Sequence, residues 1–313
     1  MLKEEILAAC GGRIRDVLEK TDRRFFEKAE EIRIRTDKGI FIKNANYETV
    51  LSKEGKSAKE QEIYLPDEKD IRAFFEAASG YSMYSLSEEL KNGYITIAGG
   101  HRVGVAGHAV CENGKIIAVD NISSINIRIC RQMIGISENI MPYIYKNNMF
   151  KSTAVISPPG FGKTTLLRDI IRAISISGLN VAVADERGEI GGIWKGHASN
   201  DIGPRSDVFD SVPKALGMRM LLRSMGPDVI ACDEAGGGDD FTAIEEIKRC
   251  GVKVLCTFHG YDISDLKAKT DTDFERYIVL RFSDGLRFGE IFNEKKERIG
   301  AEKLCLKYLD AQP

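Results

Sequence analysis

Ser157-Pro158-Pro159-Gly160-Phe161-Gly162-Lys163-Thr164-Thr165 lies between two stretches of different period. Before it runs Thr153-Ala154-Val155-Ile156, short and apolar, which reads as a buried strand. After it runs Leu166-Leu167-Arg168-Asp169-Ile170-Ile171, which has helical spacing. Strand, glycine-rich loop, Lys-Thr and helix together make the context of a P-loop. In such a loop the backbone N–H groups point inward and the helix N-terminus adds positive partial charge, so residues 157–165 are expected to hold phosphate. Lys163 reaches the terminal phosphates, and the Thr164 hydroxyl is a magnesium ligand. The first position of G-x-x-x-x-G-K-[ST] is Ser157 here, not Gly.

Working outward toward the C-terminus, Asn180-Val181-Ala182-Val183-Ala184 is an apolar run of buried-strand type that ends on Asp185-Glu186-Arg187. Acids at the C-terminal end of a parallel strand lie at the ligand edge of an open α/β sheet. Residues 189–210 have little pattern and read as a long loop, which in a compact domain is usually functional. Residues 212–224 read as a helix, with Arg219 and Arg223 on one side. Pro227-Asp228-Val229-Ile230-Ala231-Cys232-Asp233-Glu234 is the second decisive motif. An apolar strand ending in Asp-Glu, about 70 residues after a P-loop, is a Walker B pattern. Asp233 can hold magnesium through a water, and Glu234 can act as the base for an attacking water. A further apolar strand, 252–257, leads to Phe258-His259-Gly260, where His259 can sense the γ-phosphate. Residues 277–282 and 286–292 read as a hairpin around Ser283-Asp284-Gly285. It covers a sheet edge or offers a partner surface.

The first part of the chain has a different grammar. Residues 2–18 carry apolar residues at helical spacing. Glu31-Ile32-Arg33-Ile34-Arg35 alternates strictly, as a half-exposed strand does. Lys38-Gly39 turns into Ile40-Phe41-Ile42. A helix starts at Pro66-Asp67-Glu68, and Ser85-Leu86-Ser87-Glu88 resembles a capping box for a short one. Strands follow at 94–98, 102–110, 115–119 and 125–129, with Asn113-Gly114 as a hairpin turn. This is an α+β domain without a catalytic constellation of its own. Arg102 and Arg128 lie on its strands, either facing solvent or reaching a phosphate at a subunit boundary. After a connection near 131–137, residues 138–150 read as a helix with Pro142 in its first turn. The division expected is 1–135 for the N-terminal domain and 136–313 for the P-loop domain.

Composition bounds the rest. The chain has 313 residues, 43% hydrophobic and 29% charged, with 45 basic and 47 acidic side chains and a net charge of -2. That balance speaks against nucleic acid as the partner and against a polybasic membrane anchor. Seven Cys without a C-x-x-C pair and four His do not form a zinc pattern; the thiols read as reduced ones of a cytoplasmic protein. No apolar run approaches the roughly 20 residues of a membrane span, and the N-terminus has no signal-peptide apolar region.

The motifs together resemble the stage III sporulation protein AA family. The resemblance is carried by Ser157 through Asp169, Asp185-Glu186-Arg187, the run from Pro213-Lys214-Ala215 to Arg223-Ser224-Met225, Asp233-Glu234 and Thr257-Phe258-His259. Glu30-Glu31-Ile32-Arg33-Ile34-Arg35 and the stretch from Gly93-Tyr94-Ile95-Thr96 to Gly107 carry it too. It covers nearly the whole chain. That family is similar in turn to the hexameric ATPases of type II and type IV secretion and pilus machines. The resemblance implies a RecA-like α/β P-loop ATPase core with a smaller N-terminal α+β domain. ATP and Mg2+ are the implied cofactors. It also implies a ring of six subunits, a membrane-bound partner resembling stage III sporulation protein AB, and work on a channel between mother cell and forespore. Asp185 and Glu186 fall where those ATPases carry their Asp box, making Glu186 a catalytic candidate and Asp185 an alternative magnesium ligand to Asp233. His259 falls at their His box. Arg102 and Arg128 fall roughly where N-terminal-domain arginines approach nucleotide. The chain departs at Asp233-Glu234, where secretion ATPases usually carry Gly-Glu.

Three readings follow: a secretion-type ATPase, a nucleic-acid-dependent ATPase, and a nucleotide-sensing ring with little turnover. The first is preferred, because Lys163, Thr164, Asp233 and Glu234 are all present and the charge is slightly negative. A ring is expected because no arginine in the P-loop domain is placed by spacing as a finger.

Overall fold

The computed structural model describes residues 2–44, 47–79, 90, 93–194, 196–283 and 286–304. The Ser85–Glu88 capping box and the Asp284-Gly285 turn centre fall outside them. The chain divides into two units, Met1–Arg131 with Gly192–Ser199, and Gln132–Gly191 with Asn200–Pro313.

The first unit is a six-stranded antiparallel sheet covered by helices. Its strands are β1 (Glu31–Arg35), β2 (Gly39–Lys43), β3 (Glu48–Val50), β4 (Tyr94–Ile97), β5 (His101–Glu112) and β6 (Lys115–Arg128), in the order β3-β2-β1-β6-β5-β4. The alternation in β1 is realised: Ile32 and Ile34 are fully buried, while Glu31, Arg33 and Arg35 are half-exposed. A strand turns successive side chains to opposite faces, so one face meets the core and the other stays charged. Ile40, Ile95, Ile97, Val103, Ile125 and Ile127 join that core with Ile6, Ile14, Leu18 and Phe74 from the helices. The expected N-terminal helix is two, Leu2–Ala9 and Gly12–Lys20. The break has a packing cause: a Cβ on Gly11 would lie 2.3 Å from the Ala73 carbonyl oxygen of helix Glu68–Ala78. That helix starts as read, with Asp67 accepting from the Asp70 N–H. The two separate strands expected after 115 are one, paired with β5 through an Asn113-Gly114 turn in which both residues have positive φ.

The second unit is an eight-stranded sheet. After the small hairpin of β7 (Tyr145–Lys146) and β8 (Met149–Phe150) come β9 (Thr153–Ser157) and β10 (Val181–Asp185), then β11 (Ile193–Trp194) and β12 (His197–Ala198), which group with the first unit, and then β13 (Ser206–Asp210), β14 (Val229–Cys232), β15 (Lys253–His259), β16 (Arg276–Ser283), β17 (Leu286–Asn293) and β18 (Arg298–Lys303). The sheet order is β13-β10-β14-β15-β9-β16-β17-β18, parallel from β13 to β16 and antiparallel beyond. The central strands are buried on both faces, and successive residues enter opposite cores. Val155, Val183, Ala231 and Leu255 face one; Ala154, Ile156, Ala182, Ala184, Ile230 and Cys256 face the other. Continuous apolar runs are the signature of such strands.

Three expectations change here. The helix read at 138–150 is one turn, Met141–Ile144, followed by the β7–β8 hairpin. Asn147 and Asn148 both take positive φ, the geometry of a tight two-residue hairpin turn, and this outweighs the helical spacing. The patternless loop contains β13, a parallel edge strand whose mixed sequence Ser-Asp-Val-Phe-Asp carries no alternation. It also contains the β11–β12 hairpin, which belongs to the first unit, where the Gly99 N–H donates to Ser199 Oγ at 3.1 Å.

Replacing Gly11 with Ala forces the Ala73 backbone away. The expected result is a loss of about 1–3 kcal/mol in unfolding free energy, measured by urea titration. A variant as stable as the parent would contradict the close approach.

Candidate active site

The candidate groups of the second unit stand at the C-terminal ends of its parallel strands, where an open α/β sheet places its ligand. Ser157 closes β9 and is fully buried. It is not among the residues with positive φ, so the first P-loop position here has no need of glycine. Gly160 and Gly162 do have positive φ, of 80° and 94°, and Gly162 starts helix Lys163–Ile176 with no side-chain cap. The N–H groups of that first turn are therefore left for an anion.

Lys163 is 5% exposed and folds back over the loop. Its Nζ donates to the carbonyls of Ser157 at 2.9 Å and Pro158 at 3.0 Å, and lies 3.3 Å from His259 Nδ1. Burial lowers its pKa; the nearby Asp233 and Glu234 act the other way. An ammonium only donates, so Nδ1 of His259 accepts and its Nε2 carries the proton. That Nε2 is 3.0 Å from Glu234 Oε1.

Asp233 gathers two hydroxyls. Thr164 Oγ1 donates to its Oδ2 at 2.5 Å, and Thr257 Oγ1 donates to its Oδ1. The Glu234 N–H donates in turn to Thr257 Oγ1 at 2.8 Å. This holds Glu234 at φ 51°, a backbone region few residues with a side chain adopt and one that recurs at functional sites. The remaining carboxylate oxygen, Oε2, receives Nη1 of Arg187. The Thr164 hydroxyl and the Asp233 carboxylate are hard oxygen donors meeting at one point beside the phosphate loop. Their chemistry fits a magnesium ion, which keeps most of its waters and takes few protein ligands.

The acids after β10 behave differently from one another. Glu186 pairs with Lys214 Nζ at 2.6 Å; burial acts to raise its pKa, but Lys214 prevails and leaves it lowered. Asp185 is 2% exposed and accepts three backbone N–H groups, from Glu189 at 3.0 Å, Ile190 at 3.0 Å and Gly191 at 2.8 Å. Arg168 and Asn200 hold the carbonyls of that same segment. Asp185 is thus committed to the shape of the loop, and Asp233, not Asp185, meets Thr164. Arg102 and Arg128 are register partners on β5 and β6 of the first unit; Arg102 stacks on Tyr94 at 4.4 Å, and Arg128 lies 3.7 Å from Glu31.

Sequence reading gave no role to Thr257, Arg187 or Arg287. Thr257 was findable: it is two residues before His259 and shares its strand face. Arg187 meets Glu234 only because β10 and β14 are neighbours, which the order of motifs does not state. Arg287 donates to the Gly160 carbonyl at 3.4 Å. The P-loop unit thus has two arginines beside the P-loop and Glu234.

The fold is shared with solved structures. The Legionella pneumophila ATPase DotB superposes with a TM-score of 0.58 at 18% identity, over 90% of this chain and 81% of that one. The pilus retraction motor PilT with bound ADP gives 0.59 at 14% identity, over 86% and 80%. Fold and P-loop together define an α/β P-loop protein that shares the fold of these two structures, a RecA-like core with a smaller N-terminal α+β domain. The sequence profile described as "Sporulation stage III, protein AA" matches residues 1–299. Stage III sporulation protein AA of Bacillus subtilis strain 168 is 40% identical over 268 residues, 82% of this chain and 83% of that protein. The uncharacterized protein ycf45 of Cyanidium caldarium is 31% identical over 156 residues, 49% of this chain and 45% of its own length. The chain belongs to the sporulation stage III protein AA family.

Burial, then the neighbouring Asp210, push the Asp185 carboxyl up to about 6 against the pull of its three amides. An unfolded Asp titrates near about 3.9, so the folded state holds this proton more tightly. The stabilisation it contributes is full at low pH and is lost as pH rises through about 6. Asp185→Asn is expected to be less stable throughout but to lose less Tm than the parent between about pH 4 and about pH 7. Parallel Tm curves for the two proteins would count against this placement of the proton.

Proposed function

We propose that this chain is an ATPase that hydrolyses ATP to ADP and phosphate at the P-loop. The observation that carries the reading is the joined set around Glu234 and Asp233. A candidate base, a magnesium-type oxygen pair and the P-loop lysine are linked by hydrogen bonds through His259 and Thr257. Residues 157–165 cradle the phosphates, and Lys163 exchanges its loop carbonyls for phosphate oxygens. Thr164 and Asp233 hold magnesium, which neutralises charge on the β- and γ-phosphates when bound. Glu234 takes the proton of the attacking water as its oxygen bonds to the γ-phosphorus. The bond to the β–γ bridging oxygen breaks, and ADP leaves with that electron pair. His259 orients Glu234 and links it to Lys163. Glu186 acts through Lys214 at the rim of the site, and Asp185 sets the loop that carries Glu186 and Arg187.

The family likeness supports the wider assignment. In it the chain works in the cytoplasm as a homo-oligomer, a ring of six. It energises a channel or secretion complex between mother cell and forespore, through a membrane-bound partner resembling stage III sporulation protein AB. Among the described residues no helix is long and apolar enough to cross a membrane. Arg102 and Arg128 reach nucleotide across the subunit boundary in this assignment.

Glu234→Gln is expected to bind ATP and hydrolyse it about 100-fold or more slowly, and Lys163→Ala to weaken binding, in a phosphate-release assay paired with nucleotide titration. An unchanged rate in Glu234→Gln removes that residue from the base role.

Specific activity is expected to rise with protein concentration as the ring assembles. A constant rate from nanomolar to high micromolar protein excludes dependence on a ring, and strong stimulation by single-stranded DNA or RNA would favour a nucleic-acid-dependent ATPase instead.

A further inference from the structure

The hairpin of β16 and β17 runs past the strand it lies beside. β9 pairs with β16 only as far as Ile156 with Val279, and β16 continues to Ser283. The overhang stands next to the P-loop. Arg287 Nη2 donates to the Gly160 carbonyl at 3.4 Å, and Nη1 would lie 3.5 Å from a Cβ on Gly162. An N–H···O bond is usually about 2.7–3.2 Å long, so this one is loose. Arg276, Arg281 and Arg298 of the same three strands each pair with a glutamate, whereas among the described residues Arg287 pairs with no carboxylate. Phe282 is the register partner of Arg287, so the two side chains share a face. Leu280, two residues earlier on that face, is buried in the core that holds Leu166 and Leu167 of the P-loop helix, but Phe282 is 58% exposed. A bare aromatic ring and a guanidinium thus stand together at the outer lip of the phosphate loop. The Thr164–Asp233 pair and Glu234 belong to the opposite side of β9, toward β15 and β14. A chain of phosphates laid through the loop with its terminal end at Glu234 has its other end on the hairpin side.

We propose that the tip of this hairpin is the nucleoside end of the nucleotide site: Phe282 carries the base on its ring, and Arg287 holds the phosphate next to the ribose. The inference rests on the ATPase reading above and adds a subsite for the part of the nucleotide that does not react. The chemistry suits each group. A base presents a flat π-face that stacks on an aromatic ring. The planar fork of a guanidinium matches phosphate oxygens, and a charge-assisted bond of that kind outweighs the loose one to a loop carbonyl. The hairpin then has a task besides covering the sheet edge. It holds the nucleoside while the strands on the other side of β9 act on the terminal phosphate.

The test is calorimetric titration of the full chain, with Mg2+, by ADP, by the non-hydrolysable triphosphate analogue AMPPNP, and by inorganic tripolyphosphate, which has the phosphates without the nucleoside and is measured by its displacement of ADP. Phe282→Ala should weaken ADP and AMPPNP about tenfold each and tripolyphosphate less than about twofold, and Phe282→Tyr should keep the parent's affinities. Arg287→Ala should weaken all three about tenfold, and Arg287→Lys should recover part of that loss. Phe282 is exposed and Arg287 half-buried, so circular dichroism should show these variants folded like the parent. Nucleotide affinity unchanged in Phe282→Ala, or tripolyphosphate weakened as much as ADP, would overturn the base subsite. A Phe282→Ala protein altered only in its state of assembly would overturn it too, and would make the hairpin a partner surface. Tripolyphosphate unaffected by Arg287→Ala would overturn the phosphate contact. In each of these cases the ATPase reading stands. A parent protein that binds none of the three ligands would overturn both.

Discussion

The carboxylate of Asp233 holds three segments of chain in one place. Thr164 from the P-loop helix and Thr257 from β15 both donate to it, and it stands at the end of β14. A charge-assisted hydrogen bond of this kind contributes about 1.5–3 kcal/mol, more than a neutral one. Its larger effect is geometric. With Thr257 fixed on Asp233, the same hydroxyl can accept the Glu234 N–H, and this allows Glu234 to keep its unusual backbone. Lys163, His259 and Arg187 then find their places around a carboxylate whose position is already set. The apolar strands beneath provide the rigid floor, since Ile230, Ala231, Cys232, Leu255 and Cys256 are all fully buried.

The two halves of the molecule solve the core problem differently. The first unit buries one face of an antiparallel sheet and leaves charge on the other, so its strands read as Ile-Arg-Ile-Arg. The second buries both faces of a mainly parallel sheet, so its strands read as Val-Ala-Val-Ala or Val-Ile-Ala-Cys. The polar residues of the P-loop, of Asp233-Glu234 and of His259 lie where these apolar runs end, at the C-terminal ends of the strands.

This explains what could be read in advance. The P-loop and the Asp233-Glu234 strand are local in sequence, and each carries its own context of period and glycine. The contacts among Glu234, His259 and Arg187 depend on strand order, and no residue spacing encodes the adjacency of β10 with β14 or of β15 with β9. The short helix before β7 reads as longer in the sequence because Asn147-Asn148, a turn signal, sits inside helical spacing. β13 carries no strand pattern because an edge strand is under less demand to be apolar. Asp185 stands at a strand end, where acids often meet a ligand; the amides of Glu189, Ile190 and Gly191 that donate to it come from a loop without pattern, so these bonds are not legible in the sequence.

The hairpin of β11 and β12 has one more implication. The chain leaves the first unit after Arg131, returns to it for Gly192–Ser199, and leaves again. The chain path between the two units is therefore discontinuous in sequence. A gene cut at the single linker would strand eight residues of one unit inside the coding sequence of the other. Neither unit can be expressed whole as one unbroken stretch of this chain, because residues 192–199 of the first lie inside the sequence of the second.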